Sequence, residues 1–222
     1  KTNGFIKPVG ADLDDNLTNF SSMHPYGVWL IITPFNFPFS QNWGAIGASL
    51  IAGNAVIIKP ATDTPWVVRL LVDCFRDAGL PDGVINFVTG PDSRFGKRLG
   101  GSSGVDGFTF PGALDNEMKM FLEYASSDIE RPIIRELSGK NTVIVSHHAD
   151  LERVSIDIVR SCFGLQLKNN PASSRIIVEA LVYDELLGQL KECTEKLVIG
   201  DPTDQATDLG PVINASSYHE FQ

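Results

Sequence analysis

The sequence predicts an α/β fold built around a parallel sheet, and three observations carry that expectation. Short β-branched and apolar runs alternate with longer segments of helical period. The runs are apolar at consecutive positions, so each strand needs cover on both faces. The segment TPWVVRLLVDCFRDAG (64–79) opens with Thr and Pro and closes with Gly, the usual asymmetry of helix ends.

Taken in order, VWLIITP (28–34) reads as a strand, SQNWGAIGASLIAG as a helix ending on Gly53, and AVIIKP (55–60) as a buried strand that ends on a lysine. The helix at 64–79 follows. GVINFVTG is the next strand, DSRFGKRLGG a short helix, and VDGFTFPG (105–112) another strand, while LGGSSG (99–104) reads as a surface loop. After ALDNEMKMFLEYASS, the run IIRELSGKNTVIVS joins two strands through Leu-Ser-Gly-Lys-Asn, a link too short to hold a crossover helix. The sheet geometry is therefore expected to change near Glu136, and a domain boundary to fall there. ADLERVSIDIVRSCFGLQ places Leu151, Val154, Ile158, Val159 and Cys162 at helical spacing, and the polar turn KNNPASSR leads into the apolar run IIV. In such a fold ligands bind at the carboxyl ends of the strands.

Composition narrows the function classes. The chain has 222 residues and is 43% apolar, enough for a real core in one large or two small domains. Its apolar stretches are broken by Gly, Pro or Asn short of the ~20 residues a membrane span needs, and no membrane association is expected. A net charge of −9 without a basic cluster argues against nucleic-acid binding. Three widely spaced cysteines, Cys74, Cys162 and Cys193, fit a reducing compartment, cytoplasmic or mitochondrial-matrix, better than a disulfide framework. Small molecules or proteins are the expected partners. Cys162 lies on the apolar stripe of its helix and reads as a buried core thiol. His147 and His148 follow a strand, where neighbours point to opposite faces, so no metal pair is expected.

Three strand-end or turn residues could carry chemistry. Lys59 could bond a ribose or phosphate oxygen, or simply snorkel from a strand terminus. Asn36, in PFNFP, could hold a rigid amide toward an oxyanion, or form an Asx-turn. Glu136, in RPIIRELSG, could act as a general base, or be a solvated strand-end charge.

The motifs TPFNFP, GNAVIIKPATDTP, AGLPDGVINFVTG, ELSGKNTVIV, SSRIIV and IGDPTD…LGPVI occur in this order in one chain. Together they resemble the aldehyde dehydrogenase superfamily, and KPATDTP with GLPDGVINFV is most similar to its 1-pyrroline-5-carboxylate dehydrogenase branch. The resemblance runs from about Pro25 to Ile213. It implies a Rossmann-like parallel sheet followed by part of an α/β catalytic domain, with the active site between them. The corresponding parts are a remnant of the oligomerisation hairpin region at 1–24, a partial nucleotide-binding domain at 25–137 and a partial catalytic domain at 138–222. It implies NAD or NADP as cofactor, a small aldehyde of the glutamate semialdehyde type as substrate, and oxidation to the carboxylate. By the same resemblance Asn36 would hold the oxyanion and Glu136 would be the general base, while Thr33, Pro34, Lys59, Thr62, Gly90 and Gly112 would meet the cofactor. Asn36, Glu136 and the nucleophile position are expected to converge on one cleft. Thr62 stands where a Glu would exclude a 2′-phosphate, which leaves NADP open.

The pattern departs from the family at its centre. Family members carry Gly-Gln-x-Cys after the catalytic-domain helix, and the cysteine attacks the aldehyde. Counting back from Arg175 in LKNNPASSR puts Asn170 in that place, and the separation of 34 residues from Glu136 fits an ungapped register. Asn offers no practical nucleophile at neutral pH, whereas a thiolate attacks the carbonyl and lets hydride leave the thiohemiacetal. By the resemblance, Asp92 stands where the family has a Gly beside the adenine, Ala113 replaces the Ser that touches the pyrophosphate, Glu117 replaces a second Gly, Pro111 replaces a Thr, and Ser138 replaces a Gly. A carboxylate there repels the cofactor. The expected reading is a catalytically impaired relative, with a non-catalytic binding or interaction fragment as the alternative. Because family chains are more than twice as long, truncation at both ends is expected to leave an open sheet edge, to be covered by homo-oligomerisation or by a longer homologue.

Overall fold

A computed structural model describes residues 9–14, 17–90, 95, 102–112, 131–137, 139–167 and 172–222. The chain divides into two compact units, 1–137 and 138–222.

The first unit begins with an antiparallel hairpin, β1 (Val9–Asp14) and β2 (Leu17–Ser21). Its centre is a parallel sheet of five strands: β3 (Val28–Ile32), β4 (Ala55–Lys59), β5 (Ile85–Phe87), β6 (Gly107–Gly112) and β7 (Ile133–Leu137). Their order across the sheet is β5-β4-β3-β6-β7. Helix α1 (Ser40–Ile51) joins β3 to β4, and α2 (Pro65–Asp77), with Pro at its first turn, joins β4 to β5.

Alternating residues of the central strands bury into two separate cores. Trp29, Ile31, Val56 and Ile58 pack with Ile46 of α1 and Val68, Leu71 and Val72 of α2 on one face. Leu30, Ile32, Val105, Phe108 and Phe110 form the core of the other face. Double-sided burial explains the unbroken apolar runs of β3 and β4. Gly107 is required by close approach, since a Cβ there would stand 2.1 Å from the Trp29 ring. That ring is pinned by its Nε1, which donates to Thr109 Oγ1 at 2.7 Å in the interior.

The second unit holds a parallel pair, β8 (Asn141–Val145) and β9 (Ser173–Val178), connected by α3 (Leu151–Phe163) and a short 3₁₀ turn (Gly164–Leu167). Asp150 caps α3 by accepting from Arg153 N at 3.2 Å. Helix α4 (Tyr183–Glu195) contributes Leu186 to a core with Val145 and Ile158, and α5 (Ala215–Phe221) is capped by Asn214.

Several expectations are revised in extent. The strand expected over GVINFVTG (83–90) is only Ile85–Phe87, which pairs with β4 alone. The strand expected at 28–34 stops at Ile32, and that expected at 105–112 starts at Gly107. The helix expected over DSRFGKRLGG lies outside the described residues, apart from a helical Phe95. The two strands read in IIRELSGKNTVIVS belong to different sheets. His147 and His148 do not point to opposite faces. Strand β8 ends at Val145, so its alternation does not extend to them, and in the turn their rings pack with centroids 3.8 Å apart. Among the described residues no group of three or more His, Cys, Asp and Glu is arranged to hold a metal ion.

Candidate functional site

Of the sequence-predicted residues, Thr33, Pro34, Lys59, Gly112 and Glu136 lie at or just past the carboxyl ends of strands in the five-stranded sheet. β3 and β4 pair in register through Ile32 and Lys59, and the chain continues with Thr33 N donating to Lys59 O at 3.1 Å. Ile31 pairs with Thr109 of β6, and Pro111 and Gly112 of β6 pair with Glu136 and Leu137 of β7. Lys59, Thr33, Pro34, Gly112 and Glu136 therefore end neighbouring parallel strands at their carboxyl termini. Three strand spacings, about 14 Å, separate β4, which carries Lys59, from β7, which carries Glu136.

Lys59 is completely buried. Desolvation brings its ammonium down from 10.5 to about 8, so at neutral pH it is still mostly a cation held in a dry place. Beside it Thr33 is 3% exposed, and its Oγ1 is buried without a hydrogen-bond partner among the described residues. The two residues meet through the backbone at the ends of β3 and β4, and a buried hydroxyl without a partner among the described residues can still take a hydrogen bond from a ligand. Thr62 is exposed just past β4. Gly90 sits at φ +153°, and a Cβ there would come within 3.0 Å of Phe95. Asn36 is half-buried in the turn after β3, with its amide oxygen withdrawn from solvent.

Asn170, Asp92, Ala113, Glu117 and Ser138 lie outside the described residues. The nucleophile position belongs by sequence to the second unit, whereas Asn36 and Glu136 belong to the first. No alternative nucleophile is activated among the described residues near it. Cys162 is half-buried against the second unit's core, and burial pushes its thiol up. Ser173 is 7% exposed, and its Oγ lies 2.7 Å from Ser161 Oγ, a structural pairing. Thr33 is the residue whose unsatisfied hydroxyl sequence reasoning alone could not find. Its signal lay only in its place directly after an apolar strand.

The Aldehyde dehydrogenase family model matches residues 5–222. The chain belongs to the aldehyde dehydrogenase family. It is 37% identical over 202 residues to a 1-pyrroline-5-carboxylate dehydrogenase of Geobacillus kaustophilus, a match covering 89% of this chain and 39% of the relative. It superposes on a Proline Utilization A variant from Bradyrhizobium japonicum with a TM-score of 0.93 and 30% identity, over 98% of this chain and 23% of that one. An NAD-dependent aldehyde dehydrogenase from Sinorhizobium meliloti gives a TM-score of 0.89 at 28% identity, over 97% of this chain and 42% of that one. The α/β architecture with its five-stranded parallel sheet is part of the aldehyde dehydrogenase fold. The chain spans about two fifths of the length of the curated relatives it matches.

Proposed function

We propose that this chain is a nucleotide-binding relative of the 1-pyrroline-5-carboxylate dehydrogenases in which aldehyde oxidation is lost. The observation that carries the reading is Asn170 in LKNNPASSR, where family members place the attacking cysteine. The resemblance to 1-pyrroline-5-carboxylate dehydrogenases supports the substrate class, a small aldehyde bearing a carboxylate. The NAD-dependent relatives among solved structures support a nicotinamide dinucleotide as the bound group, which would supply the hydride acceptor.

In this reading Lys59 and Thr33 hold the ribose of the dinucleotide, the ammonium donating and the hydroxyl finding the partner it otherwise lacks. By the resemblance, Asn36 would offer its amide N–H to the carbonyl oxygen of an aldehyde, and Glu136 would take a proton from water. What is missing is covalent capture. An amide nitrogen cannot add to the aldehyde, so hydride would have to leave a hydrated aldehyde without the sulfur-bound intermediate. By the resemblance, Asp92, Ala113 and Glu117 are a second, independent lesion, because they bring two carboxylates and remove a hydroxyl where family members meet the cofactor.

The test is NAD(P)H formation from small aldehydes, including glutamate semialdehyde. The wild-type chain and Asn170→Cys should both show no robust turnover, and only a variant that adds Asp92→Gly, Ala113→Ser and Glu117→Gly should gain any. Robust wild-type turnover would refute the loss of activity, and robust turnover by Asn170→Cys alone would refute the second lesion.

A further inference from the structure

We draw no further inference here: the strongest candidate, the exposed face of the β8–β9 pair in the second unit, where Ile144 and Ile177 stand side by side at 77% and 51% exposure, carries nothing because the structure does not show what covers it.

Discussion

Lys59 concentrates the argument at the scale of single residues. Its position at a strand end was legible in AVIIKP, but its complete burial was not, because burial depends on β3 and β5 closing around β4. The depressed ammonium has a definite consequence for stability. Below about pH 8 the lysine is charged in both folded and unfolded chains, and the folded state bears the desolvation cost. Between about 8 and 10.5 the folded chain releases its proton first, so stability rises with pH through that window, by up to about 3 kcal/mol. Urea unfolding from pH 7 to 10.5 should show this rise in the wild-type chain and not in Lys59→Met, which should also be the more stable of the two at pH 7. Thr109 offers a second check. Thr109→Val leaves the buried Trp29 Nε1 without its acceptor and should cost about 1–3 kcal/mol, read from the same unfolding curves.

Elements were more legible than their ends. In α3 the apolar spacing marks Ile158 and Val159, which are buried, and Leu151, Val154 and Cys162, which pack partly buried against the same core, whereas the buried Ser155 of α3 and Asn42 and Ser49 of α1 carry no apolar signal. Strand β5 came out shorter than its sequence run, pairing with β4 only through Ile85–Phe87. A pocket lined by Gly44, Ala48, Trp29 and Thr109 escaped the sequence reading, because it joins a helix face to strands far apart in sequence. Ile46 is fully buried between α1 and the sheet, so Ile46→Ala should destabilise the first unit by about 2–5 kcal/mol. At the end of β8 a polar clamp replaces the expected divergence of the two histidines. His147 N donates to Glu179 Oε2 at 2.8 Å and the His147 ring contacts the same oxygen. The backbone hydrogen bond, then the ring, hold the Glu179 carboxyl below its ordinary 4.5. The clamp's contribution is therefore present above about pH 4.5 and is lost as pH falls through the lower folded value. A carboxyl-carbon NMR titration should find Glu179 ionising at lower pH than a glutamate in an unstructured peptide.

At the scale of the whole molecule, six ordered motifs made the family legible before any coordinate, because each sits where a strand ends or a turn must form. The departure at Asn170 was equally legible, since replacing a nucleophile is a local change of letters. The geometry of the nucleotide edge was not, because it joins residues from β3, β4, β6 and β7 that are far apart in sequence. The central claim is that this edge binds a dinucleotide although the chemistry beyond it is lost. Calorimetric titration of the chain with NAD and with NADP at pH 7 tests it most directly. The account predicts saturable binding of at least one of them, weak because of Asp92, Ala113 and Glu117, with a Kd on the order of 100 μM, and abolished by Lys59→Met in a chain that remains folded. No heat of binding from either dinucleotide at millimolar concentration, or binding that survives Lys59→Met unchanged, would contradict it.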